Sequence, residues 1–122
     1  MTKLVVSPDT SGPVPVTRIS GEIDLANAPR MRDEVLALAV GDVRGLIVDL
    51  TEVSYLDSSG VKALFQLARD LRQHDQTLLV TVPVGSPLRR VLKVTGLHEV
   101  APICDDLDAA FNLVAQSPGE RT

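Results

Sequence analysis

At 122 residues, 44% hydrophobic and 23% charged, with a formal net charge of −4 at pH 7 and an isoelectric point near 5.0, the chain reads as a single domain, 1–122, too small for a second core and too apolar for disorder. Its three aromatic residues, Tyr55, Phe65 and Phe111, leave an aliphatic core and almost no platform for stacking nucleic-acid bases, and the acidic balance works against a phosphate backbone. No apolar run approaches the roughly 18 to 20 residues of a membrane span, and the N-terminus lacks the basic-then-apolar pattern of a secretory signal, so the expected setting is the cytoplasm, without membrane or nucleic acid as a direct partner.

From the amino end, Leu4-Val5-Val6 and Val14 to Ile19 are short β-type runs separated by Pro8-Asp9-Thr10-Ser11-Gly12-Pro13, a cluster of turn formers, and predict a hairpin. Gly21-Glu22-Ile23-Asp24-Leu25 leads into a helix that Asn27 caps, with Pro29 in its first turn, Met31, Val35 and Leu38 on its inner face, and Gly41 at its end. Gly45 to Leu50 is a largely continuous apolar run of the kind covered on both faces, which places it at the centre of a sheet. A polar turn is expected next. Asp57-Ser58-Ser59-Gly60 then opens a second helix, with Val61, Leu64, Phe65, Ala68 and Leu71 on one stripe.

Thr77 to Val82 predicts another buried strand, followed by a helix with Ser86 as cap, Pro87 at its first position, Leu88, Val91 and Leu92 as its stripe and Gly96 as its stop. Val100 to Ile103 is a last short strand. Asp105, Asp106 and Asp108 open a final helix, where carboxylates favour the positive end of the macrodipole, and Leu107, Ala110, Phe111 and Val114 face inward. The core spans about 14–115, and 116–122 reads as a polar tail. The order β-β-α-β-α-β-α-β-α predicts an α/β fold: a mixed β-sheet, an initial hairpin followed by alternating units, with about four helices packed on it.

Cys104 is single, which excludes an internal disulfide and paired-cysteine zinc sites; a small buried thiol beside a strand end is expected. The glycine-rich phosphate loops of nucleotide-binding folds are absent. Asp24, Asp49 and Asp57 either meet around a divalent cation at the strands' carboxyl ends or serve as caps and loop charges, and neither metal nor cofactor is assigned. Asp49, inside an apolar run, is expected near a strand end or paired with backbone amides, because an unpaired buried carboxylate is very costly.

A serine hydrolase fails as a reading, since no Gly-x-Ser-x-Gly elbow is present. His74 falls roughly 24 Å along the helix from Ser58 at 1.5 Å per residue, and His98 follows the Gly96 stop. The chain is not expected to be an enzyme. Ser58 stands out all the same, because it lies where a strand's carboxyl-end loop enters a helix, the edge at which open α/β sheets meet ligands and partners. Two readings stay open: Asp57 or Ser58 simply caps the helix, or the serine carries a phosphate where free amides and the helix dipole favour an anion.

Taken together, Gly21-Glu22-Ile23-Asp24-Leu25, Leu46-Ile47-Val48-Asp49-Leu50-Thr51 and Tyr55-Leu56-Asp57-Ser58-Ser59-Gly60 resemble the STAS domain family, in particular its single-domain bacterial anti-sigma factor antagonists. Thr95-Gly96-Leu97 and the closing helix at 105–115 agree, and residues 14–115 follow the family's order of elements. The resemblance implies the STAS fold and a partner-switching protein. It implies that an ATP-using anti-sigma factor with serine-kinase activity phosphorylates the first serine, Ser58, with Ser59 the alternative. The unphosphorylated form binds that factor and frees the sigma factor, phosphorylation abolishes the binding, and a metal-dependent serine/threonine phosphatase resets the system.

Asp24, Asp57, Ser59, Gly60 and Lys62 are the implied neighbours of the phosphosite and its docking face; Lys62 stands where many relatives carry a small or apolar residue. A STAS module of a stress-sensing complex or a lipid-transport system is an alternative. A receiver-like phosphoacceptor is another, although the initial hairpin breaks its order of elements and Lys93 falls within a helix.

Overall fold

The computed structural model describes residues 3–115, so the expected polar tail at 116–122 lies outside the described residues. Within them one five-stranded sheet runs in the order β1 (Leu4–Asp9), β2 (Val16–Ile23), β3 (Gly45–Leu56), β4 (Thr77–Thr81) and β5 (Ile103–Cys104). β1 and β2 form the expected antiparallel hairpin, and the remaining pairings are parallel. The helices are α1 (Ala28–Leu36), α2 (Ser58–Arg72), α3 (Pro87–Thr95) and α4 (Leu107–Ala115), with a 3₁₀ turn at Leu97–Glu99. The mixed α/β architecture is the expected one, with β3 in the middle.

Alternation along β3 explains the two layers. Leu46, Val48 and Leu50 join Ile19, Met31, Leu64, Leu67 and Leu78 in the main core, which α1, α2 and α3 cover. Ile47 points the other way, packing with Val16, Leu79 and Cys104 under Ala110 of α4. Both faces are covered along this stretch, so the run reads as continuously apolar. Each fully buried aliphatic side chain contributes about 1.5–3 kcal/mol relative to exposure.

The polar turn expected after Leu50 does not form. β3 continues to Leu56, with Val53 and Leu56 buried and Thr51, Glu52, Ser54 and Tyr55 exposed. β4 pairs only as far as Asp49, whereas β2 stays beside β3 to its end, through two register shifts. β2 therefore runs on through Gly21 and Glu22 to Ile23, and β1 takes in Pro8 and Asp9, which the turn-former cluster had suggested were loop. Gly21 has φ +103 beside one of these shifts, a conformation that L side chains rarely adopt.

Asp49 lies mid-strand rather than near a strand end, and its charge is met there. Its Oδ1 accepts from the Thr51 amide (3.0 Å), the Thr51 hydroxyl (2.6 Å) and the Thr81 hydroxyl (3.0 Å), and Arg18 stands 3.7 Å from Oδ2. Three adjustments concern helices. α1 stops at Leu36, and Leu38 packs against the core from beyond it. Val91 is exposed, and α3 reaches the core through Leu88 and Leu92. On α4 the inward stripe is Leu107, Ala110 and Val114, which turns Phe111 outward. The last strand is shorter and later than expected, Ile103–Cys104, and Cys104 is the buried thiol at its end. Burial, and next the Asp105 charge, push its thiol above the ordinary range, which keeps it a poor nucleophile.

Candidate functional site at the head of the second helix

Ile23 and Leu56 are register partners at the carboxyl ends of β2 and β3. The next residue on each strand is an acid, Asp24 or Asp57, and the Asp57 amide donates to the Ile23 carbonyl (3.2 Å). The topology thus delivers both carboxylates and the start of α2 to one corner of the sheet.

Asp57 settles which residue caps α2. Its backbone is extended, and its Oδ1 accepts from the amides of Ser59 (2.9 Å) and Gly60 (3.1 Å). Ser58 is released from that duty: it is exposed, and its hydroxyl has no hydrogen-bond partner among the described residues. Ser59 is half-buried. Gly60 is buried, and a Cβ there would run into Leu56 Cδ1 and stand 2.8 Å from Ile23 Cγ2. Its lack of a side chain is what allows the first turn of α2 to close onto the strand ends. Asp57→Ala is expected to cost about 1 kcal/mol through the lost cap, read as a lower thermal midpoint with the fold retained.

Asn27 occupies the cap position of α1 but makes no cap bond, contrary to expectation. Its side chain turns back instead: Oδ1 accepts from the Asp24 amide (2.9 Å) and Nδ2 donates to the Glu22 carbonyl (2.9 Å). Asp24 Oδ1 in turn accepts from the amides of Ala26 (3.0 Å) and Asn27 (3.2 Å). These reciprocal bonds brace the loop, and Leu25 at its tip is left 75% exposed. Nothing in the sequence reading singled out Leu25; the available signal was an apolar residue out of phase with the stripe of α1.

Beside Ser59 the two helices bound a groove of about 260 Å³, lined by Leu25, Pro29, Arg32, Lys62 and Gln66. Arg32 Nη1 donates across it to Gln66 Oε1 (2.9 Å), and Lys62 is exposed. A larger groove, about 590 Å³, lies between the hairpin turn and α4. It is walled mainly by apolar groups such as Val14, Val16 and Phe111, and its polar members Asp9 and Ser11 bond each other.

The remaining candidates disperse. Asp49 is roughly 26 Å back along the chain from Asp57 at about 3.3 Å per residue, so it does not join Asp24 and Asp57. Among the described residues no three acidic, histidine or cysteine side chains are placed to hold a metal ion. His74 follows the far end of α2, with Nδ1 3.0 Å from the Asp70 carbonyl oxygen, and His98 lies exposed in the 3₁₀ turn. No helix among the described residues is long and apolar enough to cross a membrane. What the corner offers is an unengaged primary hydroxyl on the capped first turn of α2, flanked by two acids and a groove.

Comparison with known proteins places this arrangement in context. The STAS domain family model matches residues 6–110. An anti-sigma-B factor antagonist of Listeria monocytogenes is 35% identical over 85 residues, covering 70% of this chain and 74% of that protein. Among solved structures, an anti-sigma factor antagonist from Mycobacterium paratuberculosis is similar with a TM-score of 0.82 and 27% identity, over 93% of this chain and 96% of that one. The anti-sigma factor antagonist SpoIIAA in its unphosphorylated form shares the fold with a TM-score of 0.69 at 21% identity, over 93% and 100% of the two chains.

Proposed function

The chain belongs to the STAS domain family, and from that premise we propose that it works as an anti-sigma factor antagonist in a partner-switching pathway, the whole chain acting as one STAS domain in the cytoplasm. Unphosphorylated, it binds an anti-sigma factor that is also a serine kinase, and the sigma factor is released. Phosphorylation of Ser58 ends that binding, and a metal-dependent serine/threonine phosphatase restores it. The chain itself performs no catalysis; it is substrate and ligand in turn.

One observation carries the choice of residue: Asp57 supplies the helix cap, so the exposed Ser58 hydroxyl has no structural bond to give up. Ser59 is half-buried against the α1–α2 groove and is less open to a kinase. In the transfer the Ser58 Oγ bonds to the γ-phosphorus of ATP, the bond from that phosphorus to the β-phosphate oxygen breaks, ADP leaves, and the hydroxyl proton passes to a base on the kinase. The added phosphate brings about −1.5 to −2 charges to a corner already holding Asp24 and Asp57. That charge leaves the fold in place and spoils a docking surface by repulsion and desolvation.

Incubation with ATP and the cognate anti-sigma factor is expected to add one acid-stable phosphate, mapped by fragmentation to Ser58 and lost in Ser58→Ala. A phosphate on Ser59, or an acid-labile one on a carboxylate, overturns the assignment.

A further inference from the structure

We infer that Lys62 is a built-in counter-ion for a phosphate on Ser58, drawn out of the α1–α2 groove when the serine is modified. The inference rests on the proposed modification of Ser58 and adds its consequence for the groove. Lys62 is four residues after Ser58 on α2, so the two side chains rise from the same face with their Cβ atoms about 5–6 Å apart. Lys62 is exposed and makes no ion pair or hydrogen bond among the described residues.

The fold gives Lys62 no other reason to be there. The remaining cations of α2, Arg69 and Arg72, occupy its last turn, where the negative end of the macrodipole favours them. Lys62 is near the opposite end, where a cation gains nothing from the dipole.

The surrounding charges are already committed. Arg32 of α1 bonds Gln66 and Asp33, the latter at 3.2 Å. Asp57 and Asp24 accept backbone amides. Among the described residues, a dianion on Ser58 therefore finds one uncommitted cation within a helical turn. Its capture changes the site twice: a negative charge is added, and a positive one leaves the groove wall. A partner that meets Lys62 in the groove loses that contact in the same event.

The test installs phosphoserine at position 58 during translation, so that it does not depend on the kinase. The phosphate is then titrated by ³¹P NMR in the otherwise native chain and in Lys62→Gln. A lysine ion pair favours the dianion, so the native midpoint is expected to lie below that of Lys62→Gln by about half a pH unit, a roughly three-fold change in the proton dissociation constant. Lys62→Arg is expected to restore the native value. Unphosphorylated Lys62→Gln should melt with the native chain, which separates this effect from a folding defect. Coincident titrations of the two phosphorylated chains overturn the inference. If the phosphorylated chain still holds the anti-sigma factor, the switch fails while the titration difference stands, so the two failures are distinguishable.

Discussion

Ser58→Asp is expected to weaken binding of the anti-sigma factor by about 100-fold or more, and Ser58→Ala to bind within a few-fold of the native chain. The asymmetry follows from position. Ser58 contributes neither a cap nor a core contact, since Asp57 does the capping and the side chain is exposed. Removing its hydroxyl therefore disturbs little. A carboxylate at 58 adds a third acid beside Asp24 and Asp57, and like charges forced together at a docked surface cost several kcal/mol, of which 100-fold is about 2.7. Asp carries one charge where phosphoserine carries nearly two, so the modified protein should lose more than the variant does. Titration calorimetry against the purified factor decides the matter, and equal affinities for the two variants sink the proposed switch. Matching melting curves for both would show that the loss lies in docking and not in folding.

The largest expected effect on stability comes from Gly21→Ala. Two penalties combine there. The backbone at φ +103 is strained for any side chain, and the added Cβ would drive into the carbonyl oxygen of Lys3, a backbone atom just ahead of β1 that cannot swing aside as a side chain does. Backbone strain of this kind costs about 1–3 kcal/mol and overpacking a similar amount, so a loss of roughly 2–6 kcal/mol is expected, or about 10–20 °C in the melting midpoint for a chain of this size. A Gly21→Ala chain that melts with the native one would show that β1 simply shifts to admit the methyl group.

Much of this fold was legible because the core is aliphatic and its periodicities are clean. The stripe Val61, Leu64, Ala68, Leu71 and the run from Gly45 to Leu50 each have one physical interpretation, and both hold. The second half of β3 escaped because its polarity alternates imperfectly and its partner is β2 alone; an extended segment that pairs on one side carries no local signature. Asn27 departs from the cap role its residue type predicts for a related reason. A side chain that favours caps also bonds a neighbouring loop, and the choice rests on the Glu22 carbonyl and Asp24 amide brought within reach by the end of β2. At the site, the residues Asp24, Asp57 and Ser58 were legible as types. The division of labour among them was not, because a cap position one residue earlier or later looks the same in sequence.

The two free edges of the sheet bear on a hazard that any signalling protein with exposed strands faces. β5 is two residues long and offers almost no ladder to extend. On β1 the Lys3 carbonyl bonds β2, so the alternate residues Leu4, Val6 and Pro8 direct their backbone groups outward. Arg30 of α1 donates to the Leu4 carbonyl (2.9 Å), and Pro8 has no amide to donate. A stray strand, whether from an unfolded neighbour or a second copy, finds one edge too short and the other partly spoken for. Self-assembly into fibres is thereby discouraged by geometry, at no expense to the corner where Ser58 waits.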